Sequence, residues 1–542
     1  MRNTRQGMVL LALCLLAPAS LAAQDNALEA ARAWREANAH RIVGELVEFL
    51  SMPNVATNPA DIQRNAEWLA ARMRRSGIET EIVPITGGRP VVYGELRVPG
   101  ATHTLLFYCH YDGQAVDPKR WNNSEPFKPA LRRGAPDDWS TIPFPAQGQA
   151  FNDNWRIYAR SASDDKSPII ALLAALDALR AQGRQPAVNL KFVFDGEEEQ
   201  SSPNLHEFIA RYRERLAADA MIIGDGPVHP TGRPTIFFGN RGIMTLDLTV
   251  YGPRVPLHSG HYGNWAPNPA MRLAQLLATM KDAGGRVTIE GFYDDVVPLT
   301  ETERAAIAAI PHLDAELKQR YGFSEPEGGG QRLDDMIQLP SFNVRGLESA
   351  YVGDSARTIV PATATAAVDV RLVKGTDHQR MFERIVAHIR RQGWYVTENE
   401  PTDAERQAHA RIVRVVKREG YNAVRTPMDV PVAKVITAAV QRSSAEPVVL
   451  LPTLGGSGPS YLFADLGIPI VGVPIVNFDN NQHSENENLR LGNFWRGLDT
   501  FVALLLVPFQ PMPPDSSQPD TSLTERPAHP RNSPRVGTAL AE

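Results

Sequence analysis

Three short apolar runs in this chain stop abruptly on residues able to carry charge, a pattern that few architectures besides a buried sheet can accommodate. HTLLFYC runs into His110 and Asp112, NLKFVFDG into Glu197, Glu198 and Glu199, and AMIIGDG contains Asp225 near its end. Runs so short and so apolar read as strands buried on both faces. Segments with helical spacing accompany them, among them LEAARAWREANAHRIVGELVEFL and DIQRNAEWLAARMRR. The alternation predicts an α/β sheet with helices on its faces. In such sheets ligands collect beyond the carboxyl ends of the strands, where each polar cluster falls.

Two further clusters belong with these. SASDDKS places Asp164, Asp165 and Lys166 ahead of the helix-like PIIALLAALDALR, and NNQHSENENLRL supplies His483. Singly, each has an ordinary structural explanation. A strand-end histidine is often just hydrogen-bonded, an aspartate before a helix caps it, and three glutamates in a row form a solvated face. Brought to one sheet edge they differ, because clustered carboxylates repel unless cations neutralise them. Two histidines with three carboxylates suit zinc or a similar divalent ion. If one carboxylate is shared, five ligands give each of two ions three protein groups and leave each an open position for water.

The two ends of the 542-residue chain stand apart from a middle long enough for two or three domains. Arg2 and Arg5 precede MVLLALCLLAPASLAA, which reads as an export signal spanning residues 1–23 and cleaved near Ala22 or Ala23. The expectation is an exported protein, periplasmic or secreted. A lipoprotein anchor at Cys14 is a weaker rival, because bulky Leu13 precedes it. No apolar run reaches the length of a membrane span, so no membrane association is expected. After cleavage Cys109 is the single cysteine, which excludes an internal disulfide. A net charge of −5 without a basic stripe argues against nucleic acid. Residues 509–542, rich in Pro and Ser, read as a disordered tail.

The order, spacing and flanks of the five clusters resemble the two-metal exopeptidase and amidohydrolase family of carnosinase, glutamate carboxypeptidase, aminoacylase and succinyl-diaminopimelate desuccinylase. WNNSEPF, PLHSGHYGN, SFNVRGLESAY, RTIVPATATAAVDVRLV and LGGSGPS extend the resemblance over about residues 28 to 508. FNVRGLESAY and the long inserted domain resemble the carnosinase-like dipeptidase branch.

The resemblance implies a mixed-sheet α/β catalytic domain over 27–241 and 425–508, interrupted by an α+β lid and dimerisation domain over 242–424. It implies two divalent ions per chain, zinc first, with manganese or cobalt as alternatives. His110, Asp164 and Asp225 would bind one, and Glu199, His483 and the bridging Asp164 the other. Asp112 would orient His110, and Gly113 would let the strand stop and the chain turn away. Glu198 would be the general base. His258 would reach a partner subunit's site in a homodimer and stabilise the oxyanion. Thr358, Arg371, Gly456 and Ser457 would recognise the substrate's terminal carboxylate and carbonyl. The implied reaction is hydrolysis of dipeptides or short peptides with a free C-terminal carboxylate, and N-acyl-amino-acid deacylation at the same site is the alternative.

Departures accompany the match. Where relatives commonly read GRGATDDKG this chain reads ARSASDDKS, losing three glycines. RGAPDDWSTIPFPAQGQAFND reads as an inserted rim loop, and residues 285–345 as an embellishment of the lid. MDVPVAKV lacks a histidine that dipeptidase relatives often carry there, which argues against strict carnosine-like specificity. Cys109 reads as a buried strand residue, neither nucleophile nor ligand.

Overall fold

The computed structural model describes residues 4–134 and 138–507, with side chains from residue 24 onward. The leader's side chains and the C-terminal tail lie outside the described residues. The first helix runs Thr4–Leu50, so it includes the segment expected from residue 28 onward.

The main sheet has eight strands, in the order Glu79–Val83, Val91–Leu96, Asn189–Asp195, Thr104–His110, Ala220–Ile223, Ile470–Gly472, Thr235–Phe237 and Val449–Leu451. Asn189–Asp195, Thr104–His110, Ala220–Ile223 and Ile470–Gly472 run parallel, and antiparallel pairings flank them. The sheet is therefore mixed, as the sequence led us to expect. The parallel strands are apolar along their length because helices cover both faces. Helix Lys166–Ala181 is buried over most of its length, packed between the sheet and the first and last helices. Helix Pro59–Arg75 starts at Asn58, whose side chain accepts the Ala60 and Asp61 N–H groups.

A five-stranded sheet follows, in the order Ser341–Glu348, Thr363–Leu372, Gly242–Tyr251, Ile412–Tyr421 and Tyr395–Thr397. Helices Pro269–Ala278 and His378–Arg391 close one face over a core of its own. Alternate residues of Thr363–Leu372 are buried and half-buried, the signature of a sheet covered on one side only. Strand Ser341–Glu348 forms an edge, exposed from Asn343 onward.

Two insertions sit differently from expectation. Residues 138–153 do not rim the cleft described below. Ile142 bridges to Leu131, the Gln149 carbonyl lies 2.8 Å from His40 Nε2, and Phe151 packs on Trp495, so the segment flanks the main core. Within 285–345, Ile307 and Ile310 pack on Val449 of the main sheet's edge strand. That part of the embellishment braces the catalytic layer.

Candidate metal centre and substrate cleft

The polar clusters meet beyond the carboxyl ends of the parallel strands. His110 ends one strand, Asp164 lies just before helix Lys166–Ala181, and Glu198 and Glu199 open a short 3-10 turn after Asp195. Asp225 follows strand Ala220–Ile223, and His483 comes from the loop after Ile470–Gly472. Ligand atoms of His110, Asp164 and Asp225 lie within 4.8 Å of one another, as do those of Asp164, Glu199 and His483. Asp164 belongs to both groups: its Oδ1 is 2.9 Å from His110 Nε2 and its Oδ2 3.1 Å from His483 Nε2. His483 Nε2 is also 3.3 Å from Glu199 Oε2.

The electrostatics show how much this arrangement favours positive charge. Burial, then Asp164, pushes Glu199 up to about 9, and the same two causes raise Asp225 to about 6. Glu198 is driven well up by burial, with Asp225, Glu199 and Asp164 adding to it against the opposing His110. Burial also acts upward on Asp164, yet hydrogen bonds from His110 and His483 hold it below the usual carboxylate range. Glu199 Oε1 is buried without a hydrogen-bond partner. A carboxylate set this desolvated takes up either protons or metal cations, and its mix of imidazole and carboxylate donors fits two zinc-like ions.

The three glutamates after Asp195 divide the work. Glu197 turns inward and accepts the Asn204 and Arg89 N–H groups at 2.8 and 3.2 Å. Glu199 belongs to a ligand group. Glu198 belongs to neither, and its Oε2 stands 4.0 Å from His110 Nε2.

Asp112 lies with its Oδ1 3.3 Å from His110 Nδ1. It also accepts the N–H groups of Glu198 and Glu199, both at 3.0 Å, a second function that spacing alone did not reveal. Gly113 has another reason than strand termination: a Cβ there would collide with Ser161 Oγ, beside Asn54. Ser161 stands with φ 61°, a left-handed conformation suited to glycine. Its turn is held by buried Glu487, which accepts the N–H groups of Ser161, Ser163 and Asp164 at 2.8–2.9 Å and the Arg160 guanidinium at 2.8 Å. Sequence reading overlooked Glu487, although it lies four residues beyond His483. Gln114, also overlooked, donates to Glu199 Oε2 at 2.7 Å.

A cleft of about 190 Å³ opens over this centre, lined by Glu198, Glu199, Ser457, His483 and the stacked rings of Tyr421 and Tyr461. Arg371 comes to its edge from the lid sheet and donates to Ser457 Oγ at 2.6 Å. Gly456 leaves open space where a side chain would stand. His258 and Thr358 are placed elsewhere. Exposed His258 pairs with Ile359 in a two-rung ladder, Thr358 adjoins it, and neither His258 nor Thr358 lines this cleft. Cys109 is buried in its strand, its thiol pushed well up by burial and by Asp165.

The model of the peptidase family M20/M25/M40 matches residues 106–507. The chain is 27% identical over 425 residues to a Cys-Gly metallodipeptidase of Candida albicans, covering 77% of this chain and 81% of that protein. It is 25% identical over 443 residues to human beta-Ala-His dipeptidase, covering 77% of each. Among solved structures it superposes on an M20 family metallo-carboxypeptidase from Sulfolobus solfataricus with a TM-score of 0.71 and 31% identity, covering 86% of this chain and 98% of that one. With human carnosine dipeptidase 1 the TM-score is 0.70 at 22% identity, covering 88% and 98%.

Proposed function

The chain belongs to peptidase family M20/M25/M40, and we propose that within it this protein is an exported dipeptidase, active as a homodimer, that recognises a free C-terminal carboxylate. The family and the site's two ligand groups establish a metal-dependent exopeptidase of small peptides. The hydrolytic mechanism rests on one observation above all: Asp164 is shared by two ligand groups while neighbouring Glu198 belongs to neither and stays free for proton transfer.

His110, Asp164 and Asp225 would hold one ion, and Asp164, Glu199 and His483 the other. When bound, such ions supply Lewis acidity to a scissile carbonyl and ease ionisation of water near neutral pH. Glu198 takes the proton of the attacking water and returns it to the leaving amine nitrogen. Asp112 orients the His110 ring while fixing the backbone that carries Glu198, so ligand and base are positioned together. Arg371 and Ser457 grip the carboxylate at the cleft's edge.

The lid supports a dimer. Trp265, Leu347 and Met271 are 79%, 63% and 62% exposed there, apolar side chains that a partner subunit would cover. His258 and Thr358 do not line their own cleft, which leaves them available to a partner's. The basic and apolar leader supports export.

Amidating the terminus of a dipeptide tests the carboxylate anchor. It should cut kcat/KM sharply in the wild type and only slightly in Arg371→Ala. Equal efficiency on free-acid and amidated substrates would remove the anchor and favour the deacylase alternative.

A further inference from the structure

A second cavity of about 200 Å³ lies beside the metal centre and shares no lining residue with the cleft. Three of its walls are extensions of loops that carry site groups. Pro227 to Pro230 follow Asp225, Thr453 to Gly455 lead to Ser457, and Phe478 precedes His483. The fourth wall is the 285–345 insertion, which contributes Ile310, Leu313, Leu317 and Ile337.

Three buried polar side chains, Gln338, His229 and Thr453, line this largely apolar space, together with the carboxylates of Asp314 and Asp334, which are engaged by the Leu333 N–H and the Arg332 guanidinium. Gln338 is 7% exposed; its Nε2 donates to the Asp334 carbonyl at 3.2 Å, and its Oε1 is buried with no partner. An unpaired buried amide oxygen is costly unless something supplies a donor. His229 is 8% exposed, and its Nδ1 accepts from Thr231, N–H at 3.4 Å and Oγ1 at 3.0 Å, which puts the ring proton on Nε2. Apolar walls with one unsatisfied acceptor and one imidazole donor match an amide attached to an apolar body.

We propose that this cavity binds an apolar amide, the chemistry of an apolar peptide residue, at a site adjoining the metal centre. The identification with a peptide residue rests on the exopeptidase reading; the amide chemistry rests on the cavity alone. Because its walls continue into the loops bearing Asp225, Ser457 and His483, occupancy would bear on substrate choice.

The test is a titration of the full, metal-loaded protein with N-acetyl-leucinamide, which has no carboxylate for Arg371. Wild type should bind it saturably. Leu317→Trp, which fills the cavity from the insertion side, should abolish that binding, and Arg371→Ala should leave it unchanged. Gln338→Leu should weaken affinity about fivefold, the loss of one neutral hydrogen bond. Should Leu317→Trp fail to fold, Gln338→Leu decides: a residue with only a packing role would lose nothing on becoming leucine. No saturable binding by wild type, binding indifferent to Gln338→Leu, or binding lost in Arg371→Ala would overturn the proposal. The titration needs no turnover, so an enzyme inactive on all free-acid dipeptides would count against the peptidase reading alone.

Discussion

Glu198 and Glu199 are neighbours in the chain and opposites in use, and substitution separates them. Glu198→Gln should retain both metals and the fold while lowering turnover on the order of 10²-fold or more. Glu199→Gln should instead deplete one metal site. Parallel metal analysis and rate measurements distinguish them, and near-normal turnover in Glu198→Gln would mean the base is another group. His229 gives a separate test through pH. Burial, with Arg233 and Arg332, pushes its imidazole down from 6.5 to about 4. Protonation therefore favours the unfolded chain. The stability associated with the neutral ring is full above pH 6.5 and is lost as pH falls towards 4, by up to about 3 kcal/mol. Thermal unfolding of His229→Gln should show a flatter pH dependence across that window, and an unchanged slope would contradict the assignment. At this scale the sequence was legible where chemistry is rare: histidines and carboxylates after buried strands had few other reasons to be there. Glu487 and Gln114 escaped because they act through hydrogen bonds to groups that only the folded chain brings near. Gly113 carries a further constraint that sequence did not reveal, the approach of Ser161 across the fold.

Elements were legible in proportion to how far their own residues fixed them. Strand Thr104–His110 and helix Pro59–Arg75 follow from an apolar run and an amphipathic period, and lie where those patterns placed them. The insertions were harder, because their partners are distant in sequence. Ile307 and Ile310 bury against Val449, and Phe151 against Trp495, pairings that no local pattern announces. The short ladder of Leu257–His258 and Ile359–Val360 carries the prediction that belongs to this scale. His258→Ala should lower turnover about 10²-fold, the loss of an oxyanion donor. If that donor acts across a dimer, mixing and reassembling His258→Ala with Glu198→Gln should restore activity, since one site of each mixed pair is intact. An unchanged rate for His258→Ala would place the residue outside the reaction, and a lowered rate with no recovery on mixing would exclude its acting across a dimer.

At the scale of the whole molecule, the main sheet and the five-stranded sheet meet where Arg241 leads into strand Gly242–Tyr251. Arg241 N–H donates to the Gly456 carbonyl at 3.2 Å, and its guanidinium holds Ser341 Oγ at 3.2 Å, so the two layers meet beside the Arg371–Ser457 hydrogen bond. That convergence ties Arg371, on a lid strand, to Ser457, on a catalytic loop. It also makes the two-ion centre the element on which everything else depends. Without positive charge, Glu199 and Asp225 are pushed upward by burial and by Asp164, so the ionised ligand set that two cations need is disfavoured unless those cations are bound. Elemental analysis of purified, active enzyme, paired with turnover before and after chelation, tests this most directly. The account predicts two divalent transition-metal ions per chain, zinc foremost, with activity lost on chelation and recovered when metal is returned. Full turnover by protein containing no such metal would contradict it.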